Sequence, residues 1–220
     1  MVMNIFVYGA NSEIGAAVAE SFTSDGAYVD GVSRSLNNKH GNLYRTELRW
    51  EQLEAHDYSG YDVIVYCYGA FETREFKDYS LFELSNSIES NFTLVAHAIN
   101  LSIRSQSIRG RRVHVVLGSS SAYSSNMGTS IYCACKAALL SLVRCLNKEL
   151  CAEGELFTLF SCGSVESKMA VEQSGLSPKE CIPMLSVAKA LKGLAMRNLC
   201  MDGIIEQEYI GLREQMFKIQ

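Results

Sequence analysis

Short, almost uninterrupted apolar runs recur along the chain: Ile5-Phe6-Val7-Tyr8, Tyr61-Asp62-Val63-Ile64-Val65-Tyr66-Cys67, Val113-His114-Val115-Val116-Leu117 and Phe157-Thr158-Leu159-Phe160. A strand with one wet face alternates apolar and polar residues, whereas a run with little alternation fits a strand covered on both faces of a parallel sheet. The segments between the runs carry the helical period instead. Ala16, Val18, Ala19 and Phe22 follow the first run, Leu84, Ile88, Phe92, Val95, Ile99 and Ile103 mark residues 82–103, and Leu139, Leu140, Val143 and Leu146 mark residues 132–150. Further strands are predicted at 27–32, 43–48 and 204–210, a short helix at 51–55 and a later helix at 187–196. This alternation predicts an α/β chain with a Rossmann-like, doubly wound parallel sheet in three layers, helices on both faces. With 220 residues, a single domain over 1–220 is expected. Residues 169–184 interrupt the pattern, because Gly175, Pro178 and Pro183 break any long helix, and they read as a short flap over a site.

Ligands of doubly wound sheets bind beyond the C-terminal ends of the strands, where Gly9, Gly69, Ser119 and Gly163 all fall. The first of these opens the turn Gly9-Ala10-Asn11-Ser12-Glu13-Ile14-Gly15 between a strand and a helix. Such a turn points backbone N–H groups and a positive helix end at an anion such as a pyrophosphate. Ser119 comes at the end of the Val113 strand, and Tyr132 and Lys136 stand at i and i+4 on one face of the next helix. A hydroxyl, a phenol and an amine can therefore meet. A Tyr-x-x-x-Lys pair by itself is a weak signal, and it gains weight from the strand-end serine and the glycine turn upstream.

Together these residues resemble the short-chain dehydrogenase/reductase family over nearly the whole chain. Tyr8-Gly9-Ala10-Asn11-Ser12-Glu13-Ile14-Gly15 looks like the family's Thr-Gly-x-x-x-Gly-x-Gly turn, and Tyr66-Cys67-Tyr68-Gly69 takes the place of its Asn-Asn-Ala-Gly. Asn91, Ser119, Tyr132 and Lys136 match the catalytic tetrad, and Cys162-Gly163-Ser164-Val165-Glu166-Ser167 resembles the Pro-Gly-x-x-x-Thr segment beside the nicotinamide. The resemblance implies an NAD(P)(H)-dependent oxidoreductase that interconverts a carbonyl and an alcohol on a small molecule. Tyr132 would be the acid/base, Lys136 would favour its phenolate and hold the nicotinamide ribose, Ser119 would bind the substrate oxygen, and Asn91 would position a water. Gly9, Asn11, Ser12, Ile14, Gly15, Ser33, Arg34, Gly69, Tyr132, Lys136, Gly163, Val165 and Ser167 would bind the cofactor. Ser33 and Arg34 replace the acid that would repel a 2′-phosphate, so NADP(H) is preferred, with NAD(H) as the alternative. The family's packing of its long helices implies a homodimer or homotetramer. Glu13 in place of the middle glycine, the loss of both asparagines at Tyr66 and Cys67, and Cys162 in place of proline depart from the pattern.

Composition removes other classes. A hydrophobic share of 48%, a charged share of 20% and a net charge of -4 fit a globular domain and give no reason for a nucleic-acid partner. The basic cluster Arg109-Gly110-Arg111-Arg112 reads as a solvated loop. No stretch approaches the roughly eighteen apolar residues of a membrane span, the N-terminus lacks a leader pattern, and a cytoplasmic enzyme with reduced cysteines is expected. Cys133 and Cys135 lie two apart on a helix, so no metal site is implied. Two alternatives stay open: a nucleotide-binding sensor that keeps the fold without turnover, and an epimerase or dehydratase built on the same tetrad. Retention of both Tyr132 and Lys136 speaks against the first, and the lack of a large C-terminal substrate region against the second.

Overall fold

The computed structural model describes residues 2–33, 43–124, 126–174, 176–200 and 208–210. Strands β1 (Asn4–Tyr8), β2 (Tyr28–Ser33), β3 (Thr46–Arg49), β4 (Val63–Tyr66), β5 (Arg112–Leu117), β6 (Glu155–Ser161) and β7 (Glu208–Ile210) form one sheet in the order β3-β2-β1-β4-β5-β6-β7. Every pairing is parallel. The strand order reverses between β1 and β4, and that point is the crevice where doubly wound sheets take ligands. Arg34 and residues 204–207 of the expected last strand lie outside the described residues.

The strands distribute alternate side chains to two cores. Ile5 and Val7, Val63 and Val65, and Val113 and Val115 pack with α1 (Glu13–Thr23) and α6 (Met184–Cys200) through Val18, Phe22, Val187 and Leu191. Phe6 and Tyr8, Ile64 and Tyr66, and Phe157 and Leu159 face the other side, against α3 (Leu94–Arg104) and α4 (Ser130–Leu150) through Val95, Ile99, Leu139 and Val143. Both faces of the sheet are dry, which is why the strands read as runs without polar alternation. In composition and length the helical stretch Ser130–Glu153, mean hydropathy 1.2, would suffice to cross a membrane, contrary to the expectation from the sequence. Its Leu139, Leu140, Val143 and Leu146 are the residues it buries in the core.

The expected helix over 82–103 is not regular. It is α2 (Leu81–Ile88), a π turn over Glu89–Thr93, and α3. A π turn carries one extra residue and so shifts the phase of the helix face. Ile88, on the expected inner face, is 42% exposed, whereas Asn91 is 1% exposed. The basic cluster also departs from expectation. Arg112 is 0% exposed within β5, where its guanidinium binds Glu155 of β6 in bidentate fashion at 2.9 and 2.6 Å. Arg109 reaches Asp62 at 3.1 Å. Carboxylates distant in sequence draw these arginines in, and local charge density gives no hint of them.

Candidate active site

The glycine turn is shaped by contacts that only glycine permits at two positions. Gly9 adopts φ +82°, and a Cβ there would come within 2.7 Å of the Cys67 carbonyl oxygen. A Cβ on Gly15 would come within 2.2 Å of the Gly9 carbonyl oxygen, so the turn and the first turn of α1 pack backbone to backbone. Ser12 caps α1, its Oγ accepting from Gly15 N at 2.9 Å. Ile14 joins Ser12 and Glu13 in the cavity wall. Asn11 Nδ2 donates to Ser33 Oγ at 2.9 Å, which ties the turn to the end of β2. Asp30, earlier in the same strand, is held by Arg45 and by the Tyr61 hydroxyl at 2.8 Å.

Gly118 ends β5 against Leu159 and Ser161, since a Cβ there would lie 2.9 Å from each side chain. The next residue, Ser119, opens a short 3-10 turn, and its Oγ accepts from Ser121 N at 3.2 Å. Ser120 N donates to Cys162 O at 2.9 Å, joining this loop to the end of β6. One strand over, the Gly69 loop meets Asn91 and Lys136: a Cβ on Gly69 would lie 3.2 Å from Asn91 Oδ1 and 3.3 Å from Lys136 Nζ. Asn91 spends its carboxamide locally, accepting from Ala70 N and donating to Ser87 O, both at 3.0 Å. The π turn is what brings it inward to do so.

Lys136 is 3% exposed, and its ammonium has no carboxylate or hydrogen-bond partner among the described residues. Its Nζ lies 5.3 Å from the centre of the Tyr132 ring, one helical turn away. That ring and Phe71 pack edge to face, 4.9 Å between centroids. Ser119, Tyr132, Lys136 and Gly69 line one cavity of about 590 Å³ with Ser12, Ile14, Gly163, Val165 and Ser167. That volume suits a small-molecule or cofactor site. Phe71, Met127 and Met169 line it as well, whereas Tyr123 is absent from the wall and 42% exposed. Thr73, Asn126, Thr129 and Leu176 also line it, and no motif in the sequence singles them out. The thiols of Cys67 and Cys162 are pushed up to about 12 by burial, so they stay protonated and inert in the wall.

Backbone pairing joins the end of the expected flap to the loop after β6. Val165 pairs in a short bridge with Ile182, and Ser167 Oγ accepts from Ala170 N at 3.3 Å at the start of α5 (Lys168–Ser174). Pro178 starts a 3-10 turn and Pro183 directly precedes α6. Glu13 Oε2 accepts from Lys168 N at 2.9 Å.

The short chain dehydrogenase profile matches residues 46–175, and the chain belongs to that family of oxidoreductases. The chain is 24% identical over 203 residues to an uncharacterized oxidoreductase of Staphylococcus haemolyticus, covering 84% of this chain and 87% of the relative. It is 27% identical over 186 residues to the 3-oxoacyl-(acyl-carrier-protein) reductase of Haemophilus influenzae, covering 74% of each. Among solved structures, a short chain dehydrogenase/reductase family protein superposes with a TM-score of 0.82 at 21% identity, over 94% of this chain and 95% of that one. A short-chain dehydrogenase from Sphingobium yanoikuyae in complex with NADPH gives 0.81 at 19% identity, over 99% and 92%.

Proposed function

We propose that this oxidoreductase uses NADP(H) to interconvert a carbonyl and an alcohol on a small-molecule substrate, with Tyr132 as the group that exchanges the proton. One observation carries the reading: Lys136, 3% exposed, lines the same cavity as Ser119 one turn from the Tyr132 phenol, and its ammonium has no carboxylate partner among the described residues. A cation that lines a cavity without a protein acceptor is left for the acceptors that a ligand supplies. The glycine cradle of Gly9 and Gly15, with the N-terminus of α1 behind it, fits the pyrophosphate of a dinucleotide. Ser33, bonded to Asn11 of the turn, and Gly69, Gly163, Val165 and Ser167 of the cavity wall would continue the cofactor path, with Ser167 meeting the carboxamide. When bound, the nicotinamide supplies or takes the hydride.

The chain's own residues do the rest. Negative charge builds on the substrate oxygen during reduction, and a hydrogen bond from Ser119 Oγ stabilises it. Tyr132 O–H donates the proton, and the neighbouring Lys136 charge stabilises the phenolate left behind. Oxidation runs the same transfer backwards. Asn91 acts as a positioning residue: its bond to Ala70 N fixes the Gly69 loop against Lys136.

Preference for the 2′-phosphate is supported by Ser33 in place of an acid, by Arg34 next to it in sequence, and by the engagement of Asp30 with Arg45 and Tyr61. The NADPH bound by the Sphingobium relative is compatible with this. A carbonyl panel read by cofactor absorbance with NADPH and with NADH tests the proposal. The expected result is turnover with a lower KM for NADPH; binding of NADPH with no turnover across the panel would favour a nucleotide sensor.

A further inference from the structure

We infer that Glu13 is a positioning residue that ties the dinucleotide turn to the segment carrying Ser167, so that both ends of the cavity are held in one register. The inference rests on the cavity being the dinucleotide site. Glu13 is the first residue of α1, at the place where the family turn has a glycine. A carboxylate there opposes a pyrophosphate unless its charge is engaged elsewhere. Here it is engaged: Oε2 accepts from the backbone N–H of Lys168 at 2.9 Å, across 155 positions of sequence. Lys168 opens α5 and directly follows Ser167, so the bond supplies one of the acceptors that the first turn of a helix leaves unmet.

The same segment is anchored on its other side. Ile182 N donates to Ser164 O at 2.8 Å and Glu166 N donates to Ile182 O at 2.9 Å. Residues 164–168 are thus pinned at the Ile182 bridge and at Glu13, with Ser167 between the two anchors. A glycine at position 13 reaches nothing. The family's glycine leaves more room for phosphate, and this chain exchanges that room for a fixed nicotinamide-end segment.

The test uses the cofactor-free protein first. Hydrogen exchange at the Lys168 amide and the rate of tryptic cleavage after Lys168 are compared in wild type, Glu13→Ala and Glu13→Gln. Loss of a single charge-assisted bond should speed exchange in the alanine variant by roughly tenfold. Glutamine keeps an acceptor oxygen at the same reach and should restore most of the protection. With NADPH present, Glu13→Gln should bind the cofactor more tightly than wild type, and Glu13→Ala should have a lower kcat than Glu13→Gln without a matching loss of affinity. Exchange in Glu13→Ala within twofold of wild type, or identical behaviour of the two variants, overturns the inference. If the alanine variant loosens the segment yet the wild type binds no dinucleotide, the tie stands and the proposed function falls. If the wild type binds NADPH and no variant changes the exchange, the reverse holds.

Discussion

Glu155→Gln should cost about 3–5 kcal/mol of folding stability, because removing one member of a buried ion pair leaves the other charge without compensation. Arg112 is 0% exposed and directs Nε and Nη2 to the Glu155 carboxylate, and His114, also 0% exposed, places Nε2 2.7 Å from the same group. The carboxylate fixes the imidazole proton on Nε2, so Nδ1 accepts from the Tyr66 hydroxyl at 2.9 Å. Glutamine keeps one acceptor and loses the charge that serves three N–H donors from two side chains. For a chain of this size the loss corresponds to a fall of roughly 10 °C in Tm. Urea unfolding followed by circular dichroism measures it, with the m-value checking that the unfolded state is unchanged. The wild type should also weaken in acid. Burial holds His114 below its ordinary 6.5, and on Glu155 the bonds from His114 and Arg112 more than reverse the effect of burial and hold the carboxyl below 4.5. Both groups have depressed folded-state values, so their stabilisation is full at neutral pH. It is lost as pH falls, first below 6.5 for His114 and then below 4.5 for Glu155. The second step should be missing in Glu155→Gln. A loss below about 1 kcal/mol, the size of an exposed pair, would show that the Tyr58 and Ser105 carbonyls alone satisfy Arg112.

Other perturbations address the site and its surroundings. Gly9→Ala forces a side chain onto a residue at φ +82° and within 2.7 Å of Cys67 O, and should abolish NADPH binding by calorimetry while costing about 1–3 kcal/mol in unfolding. Lys136→Met should weaken both cofactor binding and turnover, whereas Ser119→Ala should lower kcat with NADPH affinity intact; equal effects of the two would separate Lys136 from the ribose. Leu81 and Phe82 of α2 are 81% and 74% exposed, so sedimentation should show a dimer or tetramer that Phe82→Glu shifts toward monomer. A wild-type monomer at micromolar concentration would contradict this.

The parts of the fold that sequence makes legible are those set by local pattern. β1, β4, β5 and β6 announce themselves because both faces of the sheet are covered, and Gly9 and Gly15 because backbone meets backbone there. The expected β3 began too early: Leu43 and Tyr44 precede the strand, and the Tyr44 ring packs so closely on Gly31 that a Cβ there would lie 2.8 Å from it. Leu43 and Tyr44 pack against the core, and backbone bonding to β2 starts only at Arg45, whose N donates to Val29 O. The π turn at Asn91 cannot be read from periodicity, since one inserted residue changes the phase without changing composition. Arg112 and Glu155 are far apart in sequence, and only strand register puts them side by side. For the same reason the bond from Glu13 to Lys168, visible only in three dimensions, turns an awkward departure from a motif into a tie across the cavity.

The central claim is that Tyr132 exchanges a proton with the substrate oxygen, and Tyr132→Phe tests it most directly. Phenylalanine keeps the ring against Phe71 and removes only the hydroxyl. The account predicts that NADPH affinity stays within a few-fold of wild type while kcat falls by at least the roughly hundredfold typical of general acid–base catalysis. A variant whose turnover matches the wild type on a substrate the wild type reduces would contradict it.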